Sequence, residues 1–121
     1  MILNNLKITT FLMCTINFSI KSIEKLVGMK SLVAVDLSHN KLTEIFQDSF
    51  QDLVDLQVLN LAHNQIVQLE AGALASLKKL HVLILSHNDL DEEVLASNVL
   101  NDMPGLKSLN LDHNRLRNLP R

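Results

Sequence analysis

A leucine pattern recurs along the chain in fixed register, and no other feature limits the fold as much. Leu32, Val35, Leu37, Asn40 and Leu42 follow the spacing L-x-x-L-x-L-x-x-N-x-L, and Leu56, Leu59, Leu61, Asn64 and Ile66 repeat it. Leu80, Leu83, Leu85, Asn88 and Leu90 form a third unit; Leu106, Leu109, Leu111, Asn114 and Leu116 form a fourth. Self-similarity at a period of about 20–50 residues is the mark of a repeat architecture. The L-x-L core of each unit alternates with period two, which predicts a short strand with one apolar face. One unit cannot bury those leucines alone. The units must therefore stack in parallel, at roughly 4.8 Å, into one continuous sheet.

The segments between strands repeat as well. Ile45, Phe50 and Leu53 lead into Leu56 with the spacing that Leu69, Leu74 and Leu77 show before Leu80. Leu95, Leu100 and Met103 make a third copy before Leu106. The unit is 24 residues from Leu32 to Leu56 and from Leu56 to Leu80, and 26 from Leu80 to Leu106. The extra pair falls between Leu90 and Leu95, where Asp91, Glu92 and Glu93 ahead of Val94 predict a capped short helix. Pro104-Gly105 then turns the chain back into the next strand.

Over about residues 20–121 this pattern resembles the leucine-rich repeat family, and the 24-residue unit is similar to its typical class. The resemblance implies an α/β solenoid with a curved parallel sheet on the concave face and loops and short helices on the convex face. It implies that Asn40, Asn64, Asn88 and Asn114 form a structural ladder, each amide bonding the backbone of its turn and of the adjacent unit. An amide suits that task because it carries both donors and an acceptor. Four units thus start near residues 32, 56, 80 and 106, the last truncated.

The first 31 residues fit less closely. Ile20, Ile23, Leu26, Met29 and Leu32 at three-residue spacing read as the back half of a shorter, 22-residue unit. Its strand is expected near residues 13–15, with Phe18 where Asn would stand. Leu3, Leu6 and Ile8 read as a further degenerate strand or a loose cap, since terminal repeats are atypical. The competing reading is a secretory signal over residues 1–19, from one positive charge, a short apolar run and the small Ser19. Asn17-Phe18-Ser19 is the only N-x-S/T sequon. At the other end the chain stops just past the fourth strand. That predicts either a fragment or an open edge that pairs with a partner or with itself.

Composition narrows the function. The net charge is -2, with 11 basic against 13 acidic side chains, so the basic excess expected of a nucleic-acid binder is missing. The single Cys14 rules out an intrachain disulfide framework and a Cys-rich zinc site. No apolar run approaches the ~18 residues of a membrane span. Ser38 and Ser86 stand beside His39 and His87, but their repetition along an open sheet supplies no pocket or oxyanion site for a triad. Neither catalysis nor a cofactor is expected.

The resemblance instead implies a protein ligand on the concave face. The candidate positions are Asp36, Ser38 and His39 with Ala34; Val58, Asn60 and His63 with Ala62; Val82, Ile84, Ser86 and His87; and Ser108, Asn110, Asp112 and His113. Ile84, Val58 and Val82 make a modest apolar patch with a polar rim. The four histidines each precede a ladder Asn, so stacking is expected to set their rings ~5 Å apart. Parallel rings do not converge as a metal ion needs, with nitrogens at ~2.1 Å, so no metal is expected. Mutual repulsion on protonation predicts sensitivity to mild acid. The expected function is a non-catalytic binding module of a secreted or cell-surface recognition, adhesion or innate-immune protein. The alternative is an intracellular scaffold or regulatory subunit that docks an enzyme, favoured by the lone cysteine and the absence of Cys-rich caps.

Overall fold

The computed structural model describes residues 11–13, 30, 32–96, 100 and 103–116. The predicted alternation folds as five short parallel strands, β1 (Phe11–Met13), β2 (Ala34–Asp36), β4 (Val58–Asn60), β6 (Val82–Ile84) and β7 (Ser108–Asn110), side by side in that order. Each strand pairs in register with its counterpart one unit on: Val35 with Leu59, Leu59 with Leu83, Leu83 with Leu109. A second ladder of two strands, β3 (Glu44–Ile45) and β5 (Gln68–Leu69), lies on the return path. The curve between them is filled by the repeating apolar positions. Leu32, Leu56 and Leu80 are wholly buried, as are Leu59, Leu83, Leu42, Ile66 and Leu90. Phe50 is buried as completely, under the convex loops with Leu53, Leu74 and Leu77. Each such side chain contributes roughly 1.5–3 kcal/mol on leaving water.

The segment that carries the two extra residues of the third unit forms α1 (Glu92–Leu95), as its chemistry predicts. The Asp91 side chain accepts a hydrogen bond from the Val94 N–H at 3.1 Å, and Glu92 and Glu93 sit in the first turn. The cap and the acidic first turn both favour the helix start. Gly72 takes a φ of +83° in the second unit's convex loop, a conformation that suits a residue without Cβ.

At the N-terminal edge the register corrects the spacing argument. Phe11 stands beside Ala34 and Leu12 beside Val35, so β1 begins two residues before the strand expected at 13–15. Five residues beyond Leu12 stands Asn17, the spacing that separates Val35 from Asn40. The three-residue apolar spacing reaches back only to Ile20 and says nothing about the length of the loop before it. Residues 1–10 and 14–29, with the expected signal, the sequon and Cys14, lie outside the described residues. At the other end β7 is the last strand of the sheet among the described residues, and Leu109 is 39% exposed where Leu83 is fully buried.

Candidate functional site

The ladder amides fix the turns at the strand ends. Asn64 Nδ2 donates to Leu61 O at 3.0 Å and Ala62 O at 3.2 Å within its own unit. The same group donates to Leu37 O of the preceding unit at 3.1 Å, and Asn64 Oδ1 accepts from Leu42 N at 3.0 Å. Asn88 repeats the set on Leu85, Ser86, Leu61 and Ile66. Asn114 repeats it on Leu111, Asp112, Leu85 and Leu90. One side chain thus ties two units together and satisfies backbone groups that would otherwise be buried unpaired.

Pinned turns place the concave side chains in columns. Ala34, Val58 and Val82 are half-buried and Ser108 exposed. Beside them Asp36, Asn60 and Ile84 are half-buried and Asn110 exposed. Three members of this second column share one local bond. Asp36 Oδ1 accepts from Ser38 N at 3.0 Å, Asn60 Oδ1 from Ala62 N at 3.0 Å, and Asn110 Oδ1 from Asp112 N at 2.9 Å. Each is an Asx-type turn that eases the chain out of the strand. Ile84 has no acceptor to offer and breaks the series.

The third column departs from expectation. Ser38 and Ser86 do not face solvent as the sequence predicts: they are 4% and 7% exposed, and Ala62 is buried beside them. The chain turns inward there. Ser38 Oγ donates to Asp36 Oδ1 at 2.6 Å, while Ala62 O and Ser86 O accept from His39 N and His63 N, each at 3.0 Å. Of this column only Asp112 is exposed. The Asx turns were missed, yet their signal is in the sequence: Asp or Asn at one fixed place in three of the units.

The histidines form the fourth column, all exposed. His39, His63, His87 and His113 have φ of 59°, 56°, 56° and 60°, the left-handed region. His is among the side chains enriched there. Consecutive rings stack with centroids 4.3, 4.1 and 4.2 Å apart and interplanar angles of 9°, 11° and 13°. Lone pairs lie in the ring planes, so near-parallel rings aim them alongside one another. Desolvation of a ring held between two others, and then repulsion from protonated His87, His39 and His113, keeps His63 below the usual imidazole value. The unfolded chain therefore takes up that proton more readily than the folded one. The His63 contribution is whole above about pH 6.5 and is lost as pH falls through that value and on through the lower folded one. A lower melting temperature at pH 5.5 than at pH 7.5 is expected, with a smaller drop in His63→Asn, since Asn also tolerates left-handed backbone. A melting temperature flat across that range contradicts it.

The convex side offers less. Phe46, Gln47, Glu70 and Ser76 border an open depression, and Glu70 Oε1 already accepts from Gln47 N at 3.1 Å. No helix among the described residues is long and apolar enough to cross a membrane.

Comparison with known proteins agrees with this geometry. None of the curated proteins compared matches the chain. Solved structures do. The TLR13–ssRNA13 complex matches with 30% identity over 89% of this chain and a TM-score of 0.72. The Drosophila Toll–Spatzle complex matches with 28% identity over 81% and a TM-score of 0.71. The Drosophila melanogaster SNF/U2A' complex matches with 26% identity over 83% and a TM-score of 0.72. The chain spans only 15%, 15% and 56% of those proteins' own lengths. The leucine rich repeat profile matches residues 30–90, the stretch that carries β2, β4 and β6, the ladder amides Asn40, Asn64 and Asn88, and three of the four histidines. With strands, ladder and profile in agreement, the chain belongs to the leucine-rich repeat family.

Proposed function

We propose that the chain is a non-catalytic module that grips another protein on the concave sheet, with Val58, Val82 and Ile84 at the centre of the contact. The observation that carries this reading is Ile84. Its column supplies a turn-capping oxygen in three units and an exposed-side apolar group in the fourth. Giving up such a bond costs about 1 kcal/mol. A local rule broken with no gain inside the fold is expected at a functional position. The half-buried valines beside Ile84 extend the apolar area, and Asn60, Asn110 and Asp36 supply a polar rim, the anatomy of a protein-binding patch.

The module is assigned to a recognition protein of the cell surface or exterior. The 24-residue unit and the likeness to the TLR13 and Toll chains support that location. The likeness to a chain of the SNF/U2A' complex supports the intracellular scaffold as the second reading. The test is a photo-crosslinking scan in cells that express the protein. A benzophenone amino acid replaces Val58 or Ser108 on the concave side, or Val54 or Val67, each 48% exposed, on the convex side. Protein adducts are expected from the concave positions. Adducts from the convex positions alone would contradict the assignment.

A further inference from the structure

The stacked imidazoles have no task in the apolar contact, and their geometry suits a second one. Four exposed rings at 4.1–4.3 Å spacing form a continuous strip beside the Asp36–Asn60–Ile84–Asn110 column. Left-handed backbone holds each ring in place, and His39 N, His63 N and His87 N donate to the next unit's backbone. The strip is therefore ordered before anything binds, which lowers the entropic cost of recognition.

The charges around it are nearly balanced. In the turns that carry the rings the charged groups are Asp89 and Asp112 against Lys41 and Arg115, and Asp36 at the end of β2 adds a third acid beside them. Asp36 is occupied by Ser38, and Arg115 Nε lies 3.5 Å from Asp89 Oδ1. No further charged residue belongs to the described turns 37–41, 61–65, 85–89 and 111–115. Three acids against two bases leave one net negative charge while the imidazoles are neutral. Uptake of two protons reverses that sign. Repulsion between adjacent rings favours protonation of alternate members, which spaces the new charges roughly 8 Å apart along the strip. Same-face carboxylates of an extended segment recur about every 7 Å, close to that interval.

We propose that the His39–His63–His87–His113 strip is a binding site for an acidic protein segment, engaged when mild acid charges the rings and released near neutral pH. It deepens the concave-face reading, since the apolar patch seats the partner and the adjacent strip reads its charge. Carboxylates on the partner accept ring N–H bonds, and these charge-assisted bonds are the stronger kind. In water-exposed surroundings they are also weakened by salt.

The test uses the full chain and a labelled octamer of glutamate, followed by fluorescence anisotropy at pH 7.5 and 5.5. Affinity is expected to rise at least tenfold on acidification and to fall with added salt. The His63→Asn/His87→Asn double variant, its fold checked by circular dichroism at both pH values, is expected to lose that rise. His39→Asn/His113→Asn serves as the second variant if the first unfolds, with the same expectation. Binding independent of pH, or a rise kept in the folded variant, overturns the proposal. Polyphosphate binding tighter than the glutamate octamer at pH 5.5 overturns the assignment to a protein segment. Failure here leaves the crosslinks from Val58 and Ser108 untouched, since those report on the apolar patch and not on the imidazole strip, so the two readings fall separately.

Discussion

Asn64→Ala is expected to lower the unfolding free energy by about 3 kcal/mol, the upper end for exposing one buried polar group to loss of its partner. The amide donates to Leu37 O, Leu61 O and Ala62 O and accepts from Leu42 N, so its removal strips partners from two units at once. Alanine offers no replacement, and the site is only 7% exposed, so water reaches it poorly. Asn114→Ala is expected to cost about 1 kcal/mol, because Asn114 is only half-buried and water replaces part of what is lost. Equilibrium denaturation in urea measures both. Equal losses from the two would mean that the amides act only within their own turns. No change from Asn64→Ala would remove the ladder from the account of stability.

Leu59→Ala is expected to cost about 4 kcal/mol, and Leu109→Ala about 1 kcal/mol, although the two residues occupy the same place in their units. Leu59 is fully buried with Val35 on one side and Leu83 on the other. Truncation there leaves a cavity that two stacked neighbours cannot collapse. Leu109 has a neighbouring strand on one side only and is 39% exposed, so it gives up far less apolar contact. The contrast follows from stacking rather than from residue type, as expected when stability is a sum of units and their interfaces. Similar losses would show that each unit holds its leucine independently of its neighbours.

Much of this fold is written in spacing. The period of the leucines places β2, β4, β6 and β7, and the two extra residues after Leu90 announce α1 with its Asp91 cap. Hydrophobic period is legible because burial imposes it on every unit alike. Three features were not. The register of β1 depends on loop length, which the apolar spacing does not encode, and it settled on Leu12. The burial of Ser38 and Ser86 follows from an inward turn of the backbone after the strand, where a period-two reading carries the alternation one residue too far. The close ring stack was anticipated from strand spacing, but not the left-handed backbone that holds it. The apolar patch was legible as composition. What distinguishes Ile84 within it emerged only from the bonds its counterparts make.

The most direct test of the central claim separates what residue 84 does for the fold from what it does for a partner. Ile84→Asn supplies the missing cap for Ser86 N–H while removing the apolar side chain. Thermal unfolding of the variant is expected to show stability raised by about 1 kcal/mol. Crosslinking to protein from a benzophenone in place of Val82 is expected to fall at least tenfold in the same variant. A more stable protein that loses its partner is the predicted result. A variant that crosslinks as well as the parent would contradict the claim that the concave sheet binds through Ile84.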